Sequence, residues 1–84
     1  MLHARLLSYF DEVARAGSIR KAAEKLNVAP SAVSRQILAF EEQLGTPIFQ
    51  RTTRKLMLTA AGEILIRHIR TTLKDMERVQ SQIQ

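Results

Sequence analysis

Contact chemistry is suggested first by short hydroxyls gathered around one guanidinium: Ser31, Ser34 and Arg35, with Leu38 beside them. Val33, Ile37, Phe40 and Leu44 recur at i, i+4, i+7 and i+11, which predicts a helix over 30–44 with one buried apolar stripe. At about 100° per residue, Ser31, Arg35 and Leu38 fall opposite that stripe and Ser34 falls at its edge. Pro30 suits the first turn, where its missing N–H costs nothing. A face that met only water would do as well with Glu, Lys and Gln. Hydroxyls flanking a single Arg suit a surface that closely touches a hydrogen-bonding partner.

The rest of the composition offers no competing chemistry. There is no Cys and no Trp, which removes disulfides, thiolate metal sites and Cys nucleophiles and fits a reducing compartment. His3 and His68 are far apart, with no ligand spacing to a carboxylate, so no metal is expected. No Gly-rich phosphate loop, repeat or Ser/His/Asp arrangement stands out, and neither an enzyme nor a cofactor is expected of this chain. No apolar run approaches the roughly 20 residues of a membrane span, and the N-terminus lacks an export signal. The expectation is a cytoplasmic protein without a membrane partner.

The net charge of +5 is segregated. Between Arg15 and Lys55 lie eight basic residues (Arg15, Arg20, Lys21, Lys25, Arg35, Arg51, Arg54, Lys55) and three acids (Glu24, Glu41, Glu42). Outside that window five basic residues face five acids. A localised basic field is the footprint of a polyanion partner. The bland reading is solubility charge, which need not be segregated.

The elements that must position these groups follow in order. A helix is expected from about Ala4 to Ala16, with Leu6, Phe10 and Val13 in register, Leu2, Leu7 and Ala14 beside them, and Gly17 closing it. Ser18 is a ready N-cap for a short helix, about Ile19 to Leu26, whose inner face is Ala22, Ala23 and Leu26. Arg20 and Lys21 lie in its first turn and oppose the helix dipole. They either form a phosphate seat with the free N–H groups there or simply point to water. Asn27-Val28-Ala29 turns into the 30–44 helix, the helix-turn-helix pattern. After Gly45-Thr46-Pro47, Ile48–Arg51 and Leu56–Leu58 read as short strands joined by a turn at Thr52–Lys55. This basic hairpin, with Arg51 at its base and Arg54 and Lys55 at its tip, is either a wing or an edge guarded by charge. Thr59 caps a final helix from about Ala60, in which Gly62 looks like a local weakness of about 1 kcal/mol. Leu65, Ile69, Leu73, Met76, Val79 and Ile83 lie on its heptad-like seams. At about 37 Å it outreaches so small a core. Either a second copy covers its far half, or the end folds back or frays.

Taken together, S-R-Q-I at 34–37, F-E at 40–41, L-G-T-P-I-F with Arg51, and L-T-A-A-G at 58–62, with Ser18, Ala22-Ala23 and Leu26 ahead of them, resemble the N-terminal DNA-binding domain of LysR-type transcriptional regulators. The resemblance covers essentially the whole chain. It implies a mainly α fold: a winged helix-turn-helix of three helices plus a two-stranded β wing over 1–58, with the helix-turn-helix at about 18–37, then a linker and dimerisation helix over 59–84. It also implies a homodimer, tetramers in the full-length protein, a C-terminal domain absent from this chain that binds a small-molecule inducer, and RNA polymerase as a further partner.

The implied function is sequence-specific binding of double-stranded DNA at an inverted repeat. The 30–40 helix would enter the major groove and the 51–55 wing would meet the minor groove. DNA contacts are expected from Ser18, Arg20, Lys21, Pro30, Ser31, Ser34, Arg35, Gln36, Leu38, Arg51, Arg54 and Lys55. Two departures matter. The family usually carries a base-reading Gln where Pro30 stands, and often basic residues where Leu38 and Ala39 stand. Readout then rests on Ser31, Ser34 and Arg35, with Leu38 available to a thymine methyl. Arg35 suits either guanine or a phosphate. The rival class is a coiled-coil helical module binding an acidic protein, which would show no preference among duplexes.

Overall fold

The computed structural model describes residues 4–84, so Leu2 and His3 lie outside the described residues. The elements are α1 (Ala4–Ala16), α2 (Ile19–Leu26), α3 (Pro30–Leu44), β1 (Phe49–Arg51), β2 (Leu56–Leu58) and α4 (Ala60–Ile83). Turn chemistry sets their boundaries. Gly17 (φ +66°) ends α1. The Ser18 hydroxyl caps α2 by accepting the Lys21 N–H at 3.1 Å. Asn27 closes α2 in the left-handed region (φ 60°), where its short polar side chain is tolerated. Pro30 occupies the first turn of α3, and Gly45 (φ +73°) ends that helix.

The apolar stripes of the helices meet in one core. Phe10, Val13, Ala22, Ala23, Val33, Ile37, Ile48, Ile66 and Ile69 are all buried, and the Phe10 and Phe40 rings pack 5.1 Å apart at 44°. The stripe of α3 ends one turn earlier than its periodicity suggests. Leu44 is 46% exposed, because the last turn of α3 runs beyond what the other elements cover.

Ile48 is the joint between α3, the hairpin and α4. Its N–H, and that of Phe49, donate to the Glu41 carboxylate at 2.7 and 3.3 Å. Its carbonyl accepts the Thr59 N–H at 2.9 Å. The Thr59 hydroxyl lies 2.8 Å from the Pro47 carbonyl and 3.1 Å from that of Ile48, and it accepts the Gly62 N–H at 3.0 Å. The Thr59 bond continues the hairpin register, but the Ile48 N–H is given to Glu41 instead of to the opposite strand, so regular pairing and β1 begin at Phe49, one residue later than expected. The antiparallel register pairs Phe49 with Leu58, Gln50 with Met57 and Arg51 with Leu56. Thr52 closes the hairpin through its N–H and hydroxyl to the Lys55 carbonyl, at 2.9 and 2.8 Å.

Gly62 is a packing requirement rather than a weakness. A Cβ there would collide with the Ile48 carbonyl and lie 2.9 Å from a Leu58 methyl. The seam of α4 also divides differently from its periodicity. Ile69 is 0% exposed, with Leu65 and Leu73 packed half-buried against the same core, so Ile69 belongs to the interior of this chain and offers no surface to a partner. Met76, Val79 and Ile83 stay exposed, because α4 continues past the end of the core. No described helix is long and apolar enough to cross a membrane.

The direction of α4 is also pinned by charge. Asp11 on α1 accepts from Arg70 at 2.8 Å and from Arg15 at 3.0 Å. Burial pushes the Asp11 carboxyl up, but hydrogen bonds from Arg70 and Arg15, with their charges, outweigh it and hold it below its ordinary value of 3.8.

Two outcomes follow for stability. Gly62→Ala is expected to lower stability by about 1–3 kcal/mol in thermal or urea unfolding, because the collision is with backbone. Helix propensity alone would give a gain of about 1 kcal/mol. Asp11→Asn is expected to cost about 1–2 kcal/mol at pH 7. A depressed carboxyl stabilises above its unfolded value and loses that contribution as pH falls through its folded value. The gap between the wild type and Asp11→Asn should therefore close in unfolding curves taken at progressively lower pH below about 4.

Candidate nucleic-acid interface

The side of α3 opposite the core carries the predicted face. Ser31, Arg35 and Leu38 are exposed, Ser34 is half-buried at the edge, and Pro30 is exposed at the helix start. Gln36 is also exposed, but it turns toward α1, lining a hollow with Arg5, Leu6 and Tyr9. It therefore stands apart from the other α3 candidates. Glu42 is exposed one turn beyond Leu38 on the same outward face. Its spacing of four residues from Leu38 is the sequence signal that marks it. An acid at that point repels phosphate, so the outward face favours a polyanion only toward the N-terminal half of α3.

A second feature lies beside this helix. The hairpin and the start of α2 enclose a cleft lined by Ser18, Arg20, Arg51, Arg54 and Lys55 together with Thr52, Thr53 and the backbone around Gly17. No acidic residue lines it. The Leu56 N–H donates to the Gly17 carbonyl at 2.9 Å, which ties the hairpin to the α1–α2 turn. The Lys55 stem passes so close that a Cβ on Gly17 would sit 3.2 Å from Lys55 Cδ, so Gly17 is needed for proximity as well as for its positive φ. Two predicted groups distant in sequence, the α2 N-terminus and the hairpin tip, are thus brought to one place. Lys21 is exposed on α2 and is not among the lining residues.

Several cations are already engaged within the chain. Arg20 pairs with Glu24 at 3.1 Å, one turn along α2. Both side chains are well exposed, so the pair is weak and Arg20 can exchange its partner for another anion. Lys25 is drawn toward Glu12 at 3.9 Å, and Arg15 and Arg70 are held by Asp11. Among the described residues Lys21, Arg35, Arg51, Arg54 and Lys55 form no salt bridge. Glu41 has a positioning role that the sequence marks only through the F-E motif: its carboxylate orients the hairpin relative to α3.

Comparison with known proteins gives this geometry a family. A family profile described as bacterial regulatory helix-turn-helix protein, lysR family, matches residues 4–63. The chain is 46% identical over 74 residues to the uncharacterized HTH-type transcriptional regulator y4mQ of Sinorhizobium fredii, covering 88% of this chain. It is 45% identical over 71 residues to the HTH-type transcriptional regulator CbbR of Rhodospirillum rubrum, covering 84% of this chain. The matched region spans 25% and 24% of those two relatives' lengths. Among solved structures, the BenM DBD in complex with catB site 1 DNA superposes with a TM-score of 0.91 at 32% identity, covering 98% of this chain and 92% of that one. The CbnR DBD–DNA complex gives 0.87 at 34%, covering 96% and 93%. By sequence and by fold, the chain belongs to the lysR family of bacterial regulatory helix-turn-helix proteins, as a LysR-type winged helix-turn-helix DNA-binding domain.

Proposed function

We propose that this domain binds double-stranded DNA sequence-specifically as a homodimer, with α3 in the major groove and the hairpin wing at the flanking minor groove. The observation that carries the reading is the acid-free cationic cleft between the wing and the start of α2, set beside the exposed Ser31–Arg35 face of α3. Cations in the cleft neutralise phosphates and supply sequence-independent affinity, while the α3 face meets base edges. Arg35, unpaired and exposed, is assigned to a bidentate contact with guanine. Arg54 at the wing tip suits a narrow A·T-rich minor groove. Ser18 keeps a free hydroxyl proton for a phosphate while its oxygen caps α2.

Dimerisation is assigned to the far part of α4, through Met76, Val79 and Ile83, with Leu65 and Leu73 at the margin of the seam. Two-fold symmetry then calls for an inverted-repeat operator with half-sites one or more helical turns apart. The curated relatives are about four times as long as the region matched here. In a regulator of the relatives' full length, the same function would include an inducer-binding domain, tetramer formation and contact with RNA polymerase.

The test is a selection of bound duplexes from a random pool, followed by Arg35→Ala against the selected site and its single-base variants. Loss of about 1–3 kcal/mol of discrimination at one guanine position is expected. Equal weakening on every sequence would assign Arg35 to a phosphate and overturn direct readout by that residue.

A further inference from the structure

Leu38 is 61% exposed and is the one large apolar side chain on the outward face of α3 among the described residues. The other large apolar side chain exposed on this helix among the described residues, Leu44, lies at the end of the core stripe, away from that face. A single exposed Leu ordinarily needs no explanation. This one stands at the centre of the proposed reading face. It follows Ser31 by seven residues, Ser34 by four and Arg35 by three, so all four side chains share one stripe. Its neighbours along that stripe are hydroxyls, a guanidinium and, one turn on, Glu42. None of these offers it an apolar partner, and a phosphate would gain nothing from it. In a major groove the one apolar feature on a base edge is the C5-methyl of thymine.

We propose that Leu38 is a specificity-determining residue that reads a thymine methyl, an assignment that rests on α3 occupying the major groove. Three residues of helix rise separate Leu38 from Arg35, about 4.5 Å, against a base-pair spacing of about 3.4 Å. The thymine therefore lies one or two base pairs from the guanine met by Arg35. Glu42, beyond Leu38, keeps phosphate away from the next turn and ends the readable stretch there. The reading element of this domain is thus compact, with Arg35 donating to guanine acceptors and Leu38 against a thymine methyl side by side.

The experiment isolates the methyl group. Duplexes carrying the selected site are prepared with each thymine of a half-site replaced singly by deoxyuridine, which removes the methyl and leaves base pairing unchanged. Affinities are measured by fluorescence anisotropy for the wild-type chain and for Leu38→Ala. One replacement, one or two base pairs from the Arg35 guanine, is expected to weaken wild-type binding about three- to tenfold. The same replacement should change Leu38→Ala binding less than about twofold. Circular dichroism of Leu38→Ala should match the wild type, since the side chain lies outside the core. The assignment is overturned if every replacement has the same ratio in both proteins while the chain still prefers the selected site. A chain without preference among duplexes would overturn the DNA-recognition reading itself, and the Leu38 assignment with it.

Discussion

The fold depends on how Ile48 is held from both sides. The Glu41 carboxylate at the end of α3 takes its N–H, and Thr59 at the start of α4 donates to its carbonyl. Its side chain is buried, and the only residue whose backbone can pass its carbonyl at that distance is a glycine, at 62. Three elements are therefore fixed at one peptide: α3, the hairpin and the helix that leaves the domain. The hairpin is too small to stand alone. It inherits its position from this joint and from the hydrogen bond between Leu56 and Gly17.

Charge is distributed in keeping with that frame. Several cations away from the wing are paired inside the chain, Arg15 and Arg70 with Asp11, Lys25 with Glu12 and Arg78 with Asp75. Those around the cleft are unpaired or, for Arg20, held only by an exposed and exchangeable partner. The exposed face of α3 is correspondingly neutral, carrying one Arg, two hydroxyls and one Leu before Glu42 intervenes. Affinity and selectivity are thus assigned to different elements: the cleft supplies the field, and α3 supplies the contacts that differ from base to base.

Much of this was legible in the residues. Helix limits followed from Gly17, Ser18, Asn27, Pro30, Gly45 and Thr59, whose conformational preferences act locally and need no tertiary context. The apolar period of α3 correctly turned Ser31, Arg35 and Leu38 outward. What could not be read was anything that depends on a neighbour distant in sequence. Gly62 looked like a cost because helix propensity is local, whereas its reason is the carbonyl of Ile48. Ile69 and Met76 share one periodic seam, yet the first lies beneath α1 and the second beyond the core's edge. Periodicity gives a direction around the helix but not how far the rest of the protein extends along it. The pairing of Arg20 with Glu24 does carry a local sequence signal, the i,i+4 spacing of opposite charges.

The central claim is that the wing cleft and the α3 face together make a sequence-specific DNA-binding surface. Its most direct test is a titration of the chain with its selected duplex and with a scrambled duplex across a range of salt concentrations. The expected result is a linear fall of log affinity with log salt, with a slope of about −4 or steeper. The selected duplex should stay ahead by about a thousandfold or more at physiological salt. Equal affinity for both duplexes, or an affinity indifferent to salt, would contradict the account.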